Sequence, residues 1–214
     1  MIQFIELHDF QDCVKCTALT YTVKESFIKI SYKFHAGTVY GLSGDFGCGG
    51  WAIASCLGGR CSDNYDGCLI VDGKLVHKEE LIARSCFVGE VAGLKTPREQ
   101  IKEALGENGA YSYEEIQRIF KLSDSRLDRS MEFVSGERWL ISLALGFAGG
   151  KDIYCFPWLN MVDIDIFRGM YLAGIIDFLK RNGKIILVPS SQKRVLKRMC
   201  DHLIIIRRSG YKMK

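Results

Sequence analysis

The chain has 214 residues, of which 48% are hydrophobic and 25% are charged, so it can bury the core of a full domain. It contains only 3 prolines and no Ser/Gly/Pro-rich linker, which predicts a single domain over residues 1–214. The net charge of +4 excludes a nucleic-acid-binding protein, which needs a denser basic face.

The cysteines indicate the compartment. There are 9 of them, an odd number, and the N-terminus MIQFIELHDF contains acids and no uninterrupted apolar run. These features predict no export signal, a reducing cytoplasm and free thiols. Cys13 and Cys16 form the one close-spaced pair. Because a zinc site needs a second pair or a histidine pair, we interpret them as two thiols in a loop between early strands. A thiol or metal protein built on this pair remains an alternative.

Early segments predict a β layer. Residues 1–6 and Ser26 to Phe34 alternate apolar and polar side chains, as half-buried strands do. A further strand, Asp66 to Lys74, is bounded by two Asp-Gly turn signals. Together these segments predict an antiparallel layer around the stretch that lies between them.

That stretch, TVYGLSGDFGCGGWAIASCLGGR, has the order strand, glycine-rich loop and helix. This is the layout of a phosphate-binding P-loop, whose glycines let backbone N–H groups close around phosphates. A P-loop continues with Lys, which neutralises the phosphates, and then with Ser or Thr, which ligates Mg²⁺. Those positions hold Gly50 and Trp51. The frame of the loop is therefore present, and its cation and metal ligand are missing.

The pattern becomes helical over about residues 91–150. Thr96-Pro97-Arg98-Glu99 is a capping box, which starts a helix from Arg98 to Leu105. Further helices are predicted at Tyr113 to Leu122 and from near Gly136. Strands then alternate with helices: strands 153–156, 185–188 and 203–206, and helices 165–181 and 192–200. This alternation predicts a parallel sheet covered on both faces, with the helical block inserted into an α/β core.

Several segments follow the P-loop in a definite order, and no one of them is specific alone. They are the strand–turn segment 66–74; CFVGE (86–90) with TPREQI (96–101); FVSGER (133–138) with Leu143 and Ala144; IYCF (153–156); and GKIILV (183–188) with CDHLIII (200–206). In this order the whole chain resembles the ATP-binding cassette of ABC transporters. The resemblance implies a P-loop NTPase-like fold: a parallel-sheet core, an antiparallel β layer and an inserted α-helical subdomain at about 91–150.

The departures from the family pattern are systematic. Glu90 stands at the glutamine of the Q-loop, and Pro157 and Trp158 stand where the Walker B aspartate and the catalytic glutamate should follow the strand. Ser190 replaces the switch histidine. The resemblance therefore assigns no catalytic residue and no metal ligand. In an ungapped match, Val134 stands at the position of the signature-motif serine. A shift of one residue would place Ser135 at that position instead.

The resemblance assigns the cofactor-binding residues to a degenerate P-loop and a signature remnant, and it implies weak ATP binding without Mg²⁺. The partners it implies are a second ABC cassette and a membrane permease, at the inner face of the membrane, and a homodimer stays open. The predicted function is a catalytically degenerate cassette that acts as a structural or regulatory partner. The alternative is an active ATPase with non-standard motifs. The assigned residues are Gly44, Asp45, Phe46, Gly47, Cys48, Gly49, Gly50 and Trp51, and Ser135, Gly136 and Glu137.

Overall fold

Two β-sheets organise the computed structural model, which describes residues 1–17, 22–62, 65–90, 93–106, 110–130, 137–163 and 172–206. The strands are β1 (Phe4–Thr17), β2 (Thr22–His35), β3 (Thr38–Ser43), β4 (Asp66–Val71), β5 (Lys74–Leu75), β6 (Ser85–Phe87), β7 (Ile153–Cys155), β8 (Ile185–Ser190) and β9 (His202–Ile205). The helices are α1 (Gly50–Ser55), continued by a π-helical segment (Cys56–Arg60), α2 (Lys78–Arg84), α3 (Pro97–Leu105), α4 (Tyr113–Ile119), α5 (Asp124–Leu127), α6 (Arg138–Ala148), α7 (Leu172–Arg181) and α8 (Lys193–Met199).

One sheet is antiparallel, in the order β2-β1-β4-β5, which confirms the predicted antiparallel layer. Strand β1 is much longer than the predicted strand at residues 1–6, because it continues past irregularities around Asp9, whose φ is 46°. Cys13 pairs with Ser26 and Cys16 with Val23 in the β1–β2 ladder. The prediction that these two thiols lie in a loop is therefore wrong, since they lie within a strand.

The other sheet is parallel, in the order β6-β7-β8-β3-β9. Alternate residues of its strands face two different cores. Tyr40 and Leu187 face the core shared with α1, α2 and the antiparallel sheet, whereas Val39 and Ile186 face the core formed by the helices from α3 onward. Coverage on both faces explains why these strands read as continuous apolar runs. The predicted α/β fold class is confirmed.

Between β6 and β7, helices α3, α4 and α6 begin close to their predicted starts, whereas the short α5 was not predicted. Thr96 caps α3 with a complete capping box to Glu99, and Ser112 caps α4 in the same way with Glu115. The predicted helix from near Gly136 corresponds to α6, and the described part of the predicted helix 165–181 is α7. Residues 164–171 lie outside the described part of the chain. None of the described helices combines the length and apolar character that crossing a membrane requires.

The described thiols differ in predicted reactivity, because only a thiolate attacks an alkylating reagent. Burial raises the pKa of Cys86 to about 11 and of Cys200 to about 12, and it also raises the pKa of Cys155. Cys68 is exposed. We expect brief iodoacetamide treatment at pH 8 to alkylate Cys68 well before these three, as measured by peptide mass spectrometry. A Cys68→Ser control should lack that fast-labelled peptide, and fast labelling of Cys155 would contradict the buried position of β7.

Candidate functional site

The candidate site lies where the parallel strands end. The carboxyl ends of parallel strands share one edge of the sheet, and ligands of open α/β sheets bind there. Ser43 at the end of β3 pairs with Ser190 at the end of β8, and Leu159 forms a further parallel bridge to Ser190. The fold therefore brings together the glycine loop, the segment after β7 and Ser190, as the order of the motifs predicts.

The glycine loop has the backbone that its sequence predicts. Gly47 and Gly49 have φ of 84° and 106°, a region that favours glycine. The amide of Cys48 donates to the carbonyl of Asp45 at 3.0 Å, and the amide of Ile53 donates to the carbonyl of Gly49 at 2.9 Å. The loop thus turns tightly into α1, all of whose residues are buried.

The loop encloses a carboxylate from β2. Glu25 is only 1% exposed, and its Oε1 accepts a hydrogen bond from the Gly47 amide at 2.9 Å. Its Oε2 accepts from the Ala52 amide at 3.0 Å. Burial raises the pKa of Glu25, and the amides of Ala52, Gly47, Trp51 and Gly49 act in the opposite direction by stabilising the charged form. The backbone donors that a P-loop offers to phosphate are therefore turned toward this side chain.

The sequence reasoning missed Glu25, although one signal was available. The alternating strand was predicted to begin at Ser26, whereas β2 begins at Thr22 and so includes Glu25. Period-2 alternation places Glu25 on the same face as Phe27, which is buried. A carboxylate on the inward face of a strand needs a partner, and this requirement was the signal.

An aromatic cluster occupies the metal-ligand position, next to the glycine loop. Trp51, where a metal-binding Ser or Thr would stand, is 1% exposed, and Trp158 is 7% exposed. Phe46 lies between them, with ring centroids 6.3 Å from Trp51 and 5.6 Å from Trp158. The two tryptophans therefore belong to one aromatic cluster, which the ring of Phe46 joins.

The remaining predicted positions are engaged in local structure. Ser190 is fully buried, its hydroxyl donates to the carbonyl of Leu159 at 2.7 Å, and it accepts from the Gln192 amide at 3.1 Å. Glu90 forms an ion pair with Arg60 beside a cleft of about 390 Å³. Neither side chain is directed by its hydrogen bonds toward the glycine loop.

Only one residue of the signature remnant lies in the described part of the chain. Glu137 precedes α6, and its carboxylate accepts from the amide of Ser123 at 3.2 Å and from its hydroxyl at 2.6 Å. Ser135 and Gly136 lie outside the described residues. Glu137 thus anchors the start of α6 to the residue before α5.

The residues at this edge do not fit Mg-ATP. The loop amides bind Glu25, the cation position is Gly50, and the metal-ligand position holds the buried ring of Trp51. Among the described residues, no group of three or more His, Cys, Asp or Glu side chains could hold a metal ion. We therefore derive no phosphoryl-transfer step for this site.

The sheet order, the glycine loop and the helical insertion together define the fold of an ABC ATP-binding cassette. A solved structure of the ATP-binding subunit of an ABC transporter superposes with a TM-score of 0.65 at 18% identity, covering 95% of this chain and 86% of that one. An uncharacterised ABC transporter ATP-binding protein of Methanocaldococcus jannaschii is 25% identical over 198 residues, which are 86% of this chain and 70% of the relative. No protein-family model matches the chain. The resemblance to the ABC cassettes that the motifs indicate is confirmed.

Proposed function

We propose that this chain is a cassette subunit of an ABC transporter system that does not hydrolyse ATP. It serves as a structural or regulatory partner of an active cassette or of a permease, at the cytoplasmic side of the membrane. One observation carries the proposal: at the edge where β3, β7 and β8 end, every position that phosphoryl transfer requires is replaced. The replacements are Gly50, Trp51, Pro157, Trp158 and Ser190.

The size of these losses favours an inactive protein over a slow enzyme. Removing one group that stabilises a transition state commonly costs about 10²–10³ in rate, or ~3–4 kcal/mol. The cation, the metal ligands and the general base are all replaced here, although such losses do not simply add. The described residues contain no group of three or more His, Cys, Asp or Glu side chains that could hold a metal ion. The hydroxyl of Ser190 is already satisfied on both sides.

The partner role rests on the resemblance. In this family each ATP is held between the P-loop of one chain and the signature motif of another. A chain without a working P-loop can therefore still complete a partner's site through the segment 135–137. Glu137 is the last residue of that segment, and the two hydrogen bonds that it accepts from Ser123 support this role by holding the start of α6 in place. A homodimer would join two incomplete sites, so a heteromeric pair with an intact cassette suits the proposal better.

The test is phosphate release by purified protein with Mg-ATP, alongside an intact ABC cassette assayed under the same conditions. We expect no turnover from this chain alone, because its cation, metal ligands and base are replaced. Titration calorimetry with ATP should show weak binding or none. Turnover in the range of ordinary enzymes, ~1–10³ s⁻¹, that co-elutes with the protein would contradict the proposal and favour an active ATPase with non-standard motifs.

A further inference from the structure

We propose that Glu25 is a built-in ligand of the glycine loop, so that the loop binds the chain's own carboxylate in place of a nucleotide phosphate. This inference rests on the proposed function, because it names what the non-hydrolysing loop holds. It assigns to Glu25 a role that the family pattern of the loop does not contain.

The geometry is that of a bound oxyanion. The two carboxylate oxygens accept from two different parts of the turn: Oε1 from Gly47 in the loop at 2.9 Å, and Oε2 from Ala52 in α1 at 3.0 Å. Amides that converge in such a turn form a concavity that binds anions. These N–H groups stabilise the ionised form of the carboxyl group and act against burial, which raises the pKa of Glu25. The loop therefore still directs backbone donors at both oxygens of one carboxyl group.

The strand that carries Glu25 lies directly on the loop. A Cβ atom added to Gly49 would lie 2.6 Å from Cβ of Phe27 and 3.1 Å from the carbonyl oxygen of Ser26. Only glycine at position 49 allows this approach. The backbone of β2 therefore packs directly against the loop. Because β2 is paired with β1, it holds the Glu25 carboxylate in a fixed position at the loop.

A nucleotide phosphate would have to displace this carboxylate. An intramolecular ligand acts at a high effective concentration, on the order of millimolar or above even for flexible tethers. The phosphate would also lack the lysine that normally attracts it, since position 50 is glycine. Exclusion of phosphate therefore follows from occupancy by the buried Glu25 carboxyl group and from the missing cation.

The experiment removes the carboxylate and supplies an anion from solution. We expect Glu25→Ala to melt at a lower temperature than the wild type. We expect inorganic phosphate or acetate to raise the melting temperature of this variant, saturably and by at least about 2 °C, relative to chloride at the same ionic strength. The wild type should show no such anion-specific rise, because its loop is filled. A rise with phosphate but not with acetate would indicate that the emptied loop binds tetrahedral oxyanions. A rise with acetate would indicate that it binds a carboxylate.

Glu6→Ala is the matched control. Glu6 lies on the neighbouring strand and pairs with Lys33 and His8, away from the loop. Its removal should change the melting temperature little and should produce no anion-specific rise. If Glu25→Ala folds and gains nothing from either anion, the inference is overturned. If the variant gains nothing from either anion and the wild type releases no phosphate from ATP, the proposed function still stands. Turnover of ATP by the wild type would overturn the proposed function itself.

A second variant keeps the test decisive if Glu25→Ala does not fold. Glu25→Gln has the same shape without the charge, so the amide protons of Gly47 and Ala52 should move upfield in nuclear magnetic resonance spectra. The amide of Cys68, on the exposed face of β4, serves as the internal reference. Unchanged Gly47 and Ala52 resonances would show that the loop does not bind this carboxylate.

Discussion

Replacing Trp51 with alanine should lower the free energy of unfolding by about 3–5 kcal/mol, the usual cost of truncating a large buried aromatic side chain. Trp51 is 1% exposed and belongs to the core between the parallel sheet, α1 and the antiparallel sheet. Helix α1, which carries Trp51, packs on β1, β2 and β8, and these paired strands limit how far the surroundings can collapse into the space left. For a domain of this size the loss corresponds to a fall in melting temperature of roughly 6–20 °C.

Phe46→Ala is the control for this experiment. Phe46 belongs to the same aromatic cluster, with its ring centroid 6.3 Å from that of Trp51, but it is 45% exposed. Its truncation should cost about 1 kcal/mol or less. Both variants are measured by urea unfolding followed by circular dichroism, since fluorescence would change with the tryptophan itself. Equal costs would mean that Trp51 does not fill the core, and an open cavity at the metal-ligand position would then have to be considered.

Local signals predicted the start of α3 and several of the parallel strands. The capping box at Thr96 involves residues three apart, so the sequence contains the whole interaction. Short apolar strands separated by helices likewise predicted β7 and β8. The nearness of Trp51 and Trp158 followed from the resemblance, since the P-loop and the Walker B strand end side by side in the ABC cassette fold.

Long-range contacts and irregular strands limited the prediction. The period of a strand reveals which side chains share a face, but not what that face contacts. Glu25 is 22 and 27 residues away from its partners Gly47 and Ala52, and nothing local to either segment indicates the contact. The irregularity at Asp9 interrupts the alternation of β1, so the strand was predicted to end before Cys13.

The residues at the site now serve packing. A side chain in place of Gly50 would begin 3.3 Å from the carbonyl oxygen of Leu42 and 3.5 Å from Cδ1 of Ile206. A serine or threonine in place of Trp51 would remove the ring that fills the adjacent core. The carboxylate and the indole thus occupy the places of an anion and of a metal ligand. This arrangement gives the glycine loop a structural use that requires no nucleotide.

The contact between β2 and the loop can be tested with two glycines. Gly47 and Gly49 both have positive φ, 84° and 106°, so alanine at either position incurs roughly 1–2 kcal/mol of backbone strain. Only at Gly49 would the added methyl group meet β2, at 2.6 Å from Cβ of Phe27, whereas nothing lies within 4 Å at Gly47. Overpacking adds about 1–3 kcal/mol. We therefore expect Gly49→Ala to cost about 2–5 kcal/mol and Gly47→Ala about 1–2 kcal/mol.

Gly47→Ala is the matched control, because both variants keep the backbone N–H groups that face Glu25 and differ in whether the new methyl group meets β2. Urea unfolding of the two proteins under the same conditions measures the difference. A larger loss for Gly49→Ala would support direct packing of β2 on the loop, which is the contact that delivers Glu25. Equal losses would mean that β2 stands away from the loop in solution, and the carboxylate would then have no rigid support there.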